Sequence, residues 1–362
     1  MNAIAYFISP HGFGHSTRAA AVMTALQRRQ PDLHCHIFTR APRWLFEESL
    51  IGPFSYHELN TDVGLAQHDA LNVDVAATVD RLAEILPFPP KLIDDLARTI
   101  HDAGCERVFC DIAPMGVAVA QAAGLPAVMV ENFTWDWIYQ GYVDLDPRLQ
   151  PYSDLMAAYF AAADIHIQAS PVCLPRTAAK TVAPISRTPR SAHTQIRAQI
   201  GVPADAQLVL VTMGGMDWRH DGLAALADLA PVHFLFTGGA VDGRQPENVH
   251  FLPPRSGIFH PDLVNAADAV VGKIGYSTLA EVYYAGIPYG YIPRRRFWES
   301  AVLGDFVQAQ MTGLPIPEDS FVDGSWAQQI PALVALPRRK PTHVNGAEEV
   351  ADLVLSPASP IT

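Results

Sequence analysis

Short apolar runs alternate along this chain with segments of helical period, and that alternation narrows the fold more than any other feature. Residues 3–9, AIAYFIS, are apolar up to the last, as expected of a strand buried on both faces of a parallel sheet. A glycine-bearing turn follows. A helix is expected over about residues 17–29, with Ala20, Met23, Ala25 and Leu26 on its apolar face. Residues 34–39, 107–111 and 127–131 read as further strands. A helix over about 115–123 is ended by Gly124-Leu125-Pro126. The stretch 181–190, TVAPISRTPR, is proline-bearing, polar and basic, and reads as a linker. The alternation then restarts, with strands at 208–213, 233–237, 249–252, 269–271 and 288–292. Helices are expected at 222–229, about 277–285 and 345–355. Repeated βα units predict an α/β fold of two doubly wound, Rossmann-like domains. Their bounds are 1–183 for the N-terminal domain, 184–202 for the linker and lead-in, and 203–362 for the C-terminal domain with its last helix. The carboxyl ends of both sheets are expected to face a central cleft.

Composition supports two cores and removes several function classes. The chain has 362 residues, against a typical domain of about 150. Hydrophobic residues make up 49% and charged residues 17%, which excludes a disordered, collagen-like or coiled-coil chain. A net charge of −12 argues against a nucleic-acid surface, which needs a basic stripe. It leaves room for a phosphorylated small molecule, for which a few local donors suffice. Cys35, Cys105, Cys110 and Cys173 contain no CxxC pair, so neither a zinc knuckle nor a redox dithiol is expected. Cys35 and Cys110 lie in apolar runs and read as small core residues. The N-terminus has no basic lead-in to a signal sequence. The most apolar window, 114–130, carries two prolines and Gln121, and is too short and broken to span a bilayer. A reducing, cytoplasmic location is therefore expected, with any membrane contact peripheral.

Three motifs carry candidate chemistry. The first is HGFGHSTR, residues 11–18, between the first strand and first helix. Gly12 and Gly14 allow a tight turn and a close ligand approach, and the helix N-terminus offers N–H groups to an anion. His15 sits where an imidazole can do proton chemistry, although a lone histidine can equally pack or cap. A dinucleotide fingerprint needs glycine where Thr17 stands and an acid where Thr39-Arg40 stands, which disfavours an ordinary dinucleotide turn, although Arg40 can accept a 2′-phosphate and keeps an NADP oxidoreductase as a rival. The second is Asp111, at the end of a strand whose carboxyl end shares the crevice of the first turn. A carboxylate there can orient the His15 ring, or it can cap the following helix.

The third motif, GKIGYSTLAEVYYAGIPYGYIP at 272–293, is the strongest. Gly272 and Gly275 flank a loop, and Ser277 and Thr278 open a helix whose N–H groups suit a diphosphate. Lys273 adds a point charge. Glu281, one turn in, can accept both hydroxyls of a ribose, or close a capping box with Thr278. Other features remain open in the same way. Phe133, Trp135, Trp137 and Tyr139 can wall an acceptor site or pack the core. The segment 85–93, ILPFPPKLI, is either a membrane-facing lip or a connection between helices. Arg294, Arg295 and Arg296 either meet an anion or form a solvated turn. His220 and His260 receive no role.

These motifs together resemble the GT-B nucleotide-sugar glycosyltransferases. The chain is similar to the branch of the lipid II N-acetylglucosaminyltransferase, and more so to the glycosyltransferase-like half of plant arabinokinases, where KIGY and NFTWDWIY (132–139) also find counterparts. The resemblance implies a nucleoside diphosphate sugar as donor substrate, bound by the C-terminal domain, with no separate cofactor and no metal. It places Gly214, Gly215, Thr237 and Gly238 around the donor, Phe251 and Leu252 at its base, and Gly272, Lys273, Gly275, Ser277 and Thr278 at its diphosphate. It places Glu281 at the ribose. His15 corresponds to the general base and Asp111 to its acid partner, with Gly12, Gly14, Arg18 and Trp135 on the acceptor side. The family's acid–Gln pair for the donor sugar is matched only at Glu299, because Ser300 replaces the glutamine. No galactokinase-type motif occurs, so sugar kinase activity is not expected. A nucleotide-sugar hydrolase that uses the same histidine on water, and a non-catalytic nucleotide-sugar sensor, are the rival readings.

Overall fold

The computed structural model describes residues 1–69, 71–214, 223–238, 245–253 and 255–356. The chain forms two compact units. One comprises Met1–Ala66, Val73–Arg187 and the residues from His343 on; the other comprises Gln67–Asn72 and Thr188–Thr342.

The first unit is built on seven parallel strands: β1 (Ala3–Ile8), β2 (His34–Thr39), β3 (Phe54–Glu58), β4 (Cys105–Asp111), β5 (Ala127–Glu131), β6 (Ile165–Ala169) and β7 (Lys180–Val182). Their spatial order is β3-β2-β1-β4-β5-β6-β7. The second unit has six: β8 (Leu208–Thr212), β9 (His233–Thr237), β10 (Val249–Leu252), β11 (Ala269–Lys273), β12 (Tyr289–Ile292) and β13 (Gly313–Pro315), in the order β10-β9-β8-β11-β12-β13. Each sheet runs outward from its first strand and then restarts on the other side. The strand order therefore reverses between β1 and β4, and between β8 and β11. At such a switch point two successive loops leave on opposite faces and open a crevice at the carboxyl ends of the strands.

The strands form where both faces can be buried. All six residues of β1 and all five of β5 and β8 are buried. The connection at 85–93 joins helices Val75–Ile85 and Pro90–Asp102, with Leu86 and Phe88 buried, so it is an interhelix link rather than a lip.

Two boundaries differ from the sequence reading. The expected linker is partly regular structure, since β7 pairs with β6 and helix His193–Gln199 lies in the lead-in. The last helix, Gly346–Leu355, belongs to the first unit and not to the C-terminal domain. Its acidic residues explain this: Glu348 pairs with Arg28 at 2.9 Å and with Arg29, and Asp352 pairs with Arg29 at 2.8 Å. Glu349 also accepts the Ala183 N–H at 2.6 Å. No helix among the described residues is long and apolar enough to cross a membrane.

Candidate active site

In the first unit the switch point is occupied by one buried polar cluster. Asp111 lies opposite Ile8 in the β1–β4 register, and its carbonyl accepts the Ser9 N–H at 3.1 Å. The chain turns through Gly12, whose φ of 69° is the left-handed conformation that glycine adopts without strain. Helix Gly14–Arg29 then carries His15 and Arg18 three residues apart, on one face.

Both side chains meet Asp111. The His15 Nδ1 lies 2.9 Å from Asp111 Oδ1. The Arg18 guanidinium donates to both carboxylate oxygens, Nε to Oδ2 at 2.8 Å and Nη2 to Oδ1 at 2.7 Å. Its Nη1 donates to Asn132 Oδ1. Burial by itself pushes the Asp111 carboxyl up. The Arg18 charge and its hydrogen bonds, joined by His15, more than offset this and hold it below the usual carboxylate range.

Asp111 does not cap the helix that follows: the N-cap of Pro114–Ala123 is Ala113 and makes no side-chain cap bond. Between them Ile112 adopts φ 44°, unusual for a β-branched residue. That strain marks the end of β4 as held by its surroundings.

The structure relocates two residues expected on the acceptor side. Arg18 is 1% exposed, engaged with Asp111 and Asn132, and stands behind the histidine. Trp135 is fully buried and packs edge-on to His11 and Phe133 and beside His15 and Tyr139, so it supports the ring as core. Gly14 begins the helix as expected.

One residue here went unnoticed in the sequence. Asp62 is buried after β3 and accepts the Ser9 hydroxyl at 2.9 Å. Burial pushes its carboxyl up to about 8; the Ser9 bond lowers it and the nearby Asp111 charge raises it further. Only a lone acid in TDVG marked it in the sequence.

The second unit aligns its candidate residues along one sheet edge. Leu252 pairs with Thr237, Thr237 with Thr212, and Thr212 with Gly272, so four neighbouring strands end on one row. Gly214 and Gly238 follow β8 and β9 with φ 71° and 80°. Phe251 stacks on Phe236 at 4.9 Å. Gly215 lies outside the described residues. Gly272 is required by contact: a Cβ there would stand 2.0 Å from the Thr212 carbonyl oxygen.

Lys273 ends β11 with its ammonium beside the Gly214 turn, 3.7 Å from where a Cβ would sit. Packing around the amine lowers its pKa to about 7; Arg294 lowers it and Glu299 raises it. Arg294 is buried, lies 3.4 Å above the Phe297 ring and pairs with Glu299 at 3.4 Å. It is therefore not a solvated turn residue. Arg295 is exposed and meets Asp319.

Helix Tyr276–Ala285 is capped by Gly275 without a side-chain bond, so Thr278 and Glu281 form no capping box. Glu281 instead bonds His260, Oε2 to Nδ1 at 2.6 Å. No group of three or more His, Cys, Asp or Glu among the described residues is arranged to hold a metal ion.

Two doubly wound units, each with a glycine turn and a polar cluster at its switch point, define the class: a GT-B-fold glycosyltransferase. Within that class the chain belongs to glycosyl transferase family 1, whose family model matches residues 2–323. It is similar to the L-arabinokinase of Arabidopsis thaliana, 26% identical over 359 residues, which are 97% of this chain and 34% of that protein. The chain thus spans about a third of the length of that relative. Among solved structures it resembles MurG of Acinetobacter baumannii, with TM-score 0.57, 16% identity, and coverage of 98% of this chain and 99% of that one. It also resembles Medicago truncatula UGT71G1 complexed with UDP-glucose, with TM-score 0.59, 12% identity, and coverage of 99% and 95%.

Proposed function

We propose that the protein transfers a glycosyl group from a nucleoside diphosphate sugar to an acceptor hydroxyl, with inversion and without a metal. The observation that carries this reading is the 2.9 Å contact between His15 and Asp111 at the first switch point. Asp111 takes the Nδ1 side of the ring and so turns Nε2 toward a reacting proton. His15 removes the proton of the acceptor hydroxyl as its oxygen attacks the anomeric carbon. The bond from that carbon to the diphosphate breaks as the new one forms, and the electron pair leaves on the diphosphate.

The residues proposed for the donor belong to the second unit. The N-terminus of helix Tyr276–Ala285, with Ser277, Thr278 and Lys273, stabilises the leaving diphosphate. Glu281 holds the ribose hydroxyls, and Phe251 and Leu252 border the base. Gly214, Thr237, Gly238, Gly272 and Gly275 let the backbone approach the donor, and Glu299, clamped by Arg294, faces its sugar. UDP-glucose, the ligand of the Medicago truncatula structure, supports a uridine donor.

The test is a binding screen of nucleoside diphosphate sugars, followed by product analysis with and without acceptor alcohols in chelator-treated buffer. A glycoside of inverted anomeric configuration is expected. Free sugar released at the same rate without any acceptor would establish a hydrolase instead, and binding without turnover would establish a sensor.

A further inference from the structure

The base at the first switch point is held by more than a carboxylate. Arg18 lies three residues after His15 on the same helix and reaches β4, so its fork closes on the oxygen pair that also faces the histidine. All three groups are nearly excluded from water: Asp111 is fully buried, Arg18 is 1% exposed and His15 is 8% exposed. Asn132, after β5, takes the other arm of the guanidinium and is itself fully buried. The Arg18 Nη2 also stands 3.4 Å from His15 Nδ1. With Nδ1 donating to Asp111, this approach is not a hydrogen bond: the arginine and the ring stand side by side as two donors around one acceptor.

We propose that Arg18 is a positioning residue for the transfer reaction. It fixes the Asp111 carboxylate by its two-pronged bond, so that the oxygen facing His15 holds the ring with Nε2 presented to the acceptor hydroxyl.

The inference rests on His15 acting as the general base. Its physical content is geometric. A buried carboxylate held by one hydrogen bond can turn about its own axis, whereas a guanidinium fork on both oxygens fixes it and leaves the orienting hydrogen bond to His15 in place. Tyr6 lies behind Asp111 from β1, Cys110 precedes it on β4, Asp62 comes from the loop after β3, and Phe133 and Trp135 cover the ring with apolar surface.

Arg18→Met removes the fork and the charge, and Arg18→Lys removes the fork alone. In Arg18→Met, kcat is expected to fall by about 10-fold or more, with the donor Kd and the acceptor KM unchanged, because the loss falls on orientation of the base and not on binding. Arg18→Lys keeps the charge but not the fork, so its kcat should remain low. Melting curves and donor calorimetry identify a variant that has failed to fold, and Arg18→Lys then carries the test alone. Wild-type kcat in a folded variant, or a loss that lies wholly in the acceptor KM, overturns the proposal. His15→Ala assayed in parallel separates the two failures: if it is inactive while the Arg18 variants behave as wild type, only the role of Arg18 is lost. If His15→Ala is itself fully active, the base assignment fails first.

Discussion

Glu281 and His260, 21 residues apart on two successive helices, share a 2.6 Å hydrogen bond. The carboxylate is buried and the imidazole partly exposed, so the bond fixes one Glu281 oxygen on the second turn of helix Tyr276–Ala285. The proposed function assigns this carboxylate to the ribose diol. Replacing Glu281 by Ala should weaken binding of a nucleoside diphosphate by about 10-fold or more, the loss expected for hydrogen bonds to a charged acceptor. Calorimetry with UDP measures it, and an unchanged Kd would remove the ribose role.

His15→Ala should lower kcat by roughly 10²–10⁴-fold, the usual contribution of a positioned general base. The donor Kd should stay within experimental error, because the proposed donor contacts lie on the other unit. Steady-state rates with saturating donor decide this, and wild-type turnover would reject His15 as the base.

If Lys273 meets the diphosphate as proposed, donor binding should depend on pH. With its pKa lowered to about 7, the amine is largely neutral in mildly alkaline buffer and must gain a proton to meet a diphosphate. Binding of UDP at pH 8 should therefore take up protons. Calorimetry in two buffers of different ionisation enthalpy reads this directly, and Lys273→Met should abolish it. The same lowered pKa sets the sign of the stability effect. Between about 7 and the ordinary 10.5 the unfolded chain holds the proton and the folded chain does not. Stability contributed at this site therefore rises with pH across that window and is lost as pH falls toward 7. Denaturation midpoints of wild type and Lys273→Met, compared from pH 7 to 10, should diverge least at the top of the range.

Two glycines should respond differently to alanine. Gly12 has nothing within 4 Å of a new Cβ, so Gly12→Ala meets only the left-handed backbone cost of about 1–2 kcal/mol. Gly272→Ala drives a methyl group to 2.0 Å from a strand carbonyl and should cost more, because β8 and β11 must separate. Urea denaturation of both variants tests the order, and equal losses would contradict it.

The parallel strands at the centre of each sheet were legible because both their faces are buried. That demand makes AIAYFI, AVMVE and LVLVT continuously apolar, and the two doubly wound domains follow from their spacing. The outer strands β3 and β7 of the first sheet were not. FSYHE of β3 is half-buried along its length and KTV of β7 is mostly exposed, so neither carries an apolar run. Glycine loops and helix openings were readable because their chemistry is local.

The partners of the charged groups were decided only by tertiary structure. Nothing local to Arg18 tells whether it faces solvent or a buried acid 93 residues away. Thr278 and Glu281 have the spacing of a capping box, yet the fold gives Glu281 to His260. Trp135 has the chemistry of a sugar platform, and its burial beneath His15 depends on helix and strand packing that no short segment encodes. The last helix carries an acidic face that suits any basic surface, and only the placement of Arg28 and Arg29 assigns it to the first unit. Burial periodicity is a property of each segment and is written into its own residues. An ion pair is a property of two segments, and only the folded chain brings them within reach of each other.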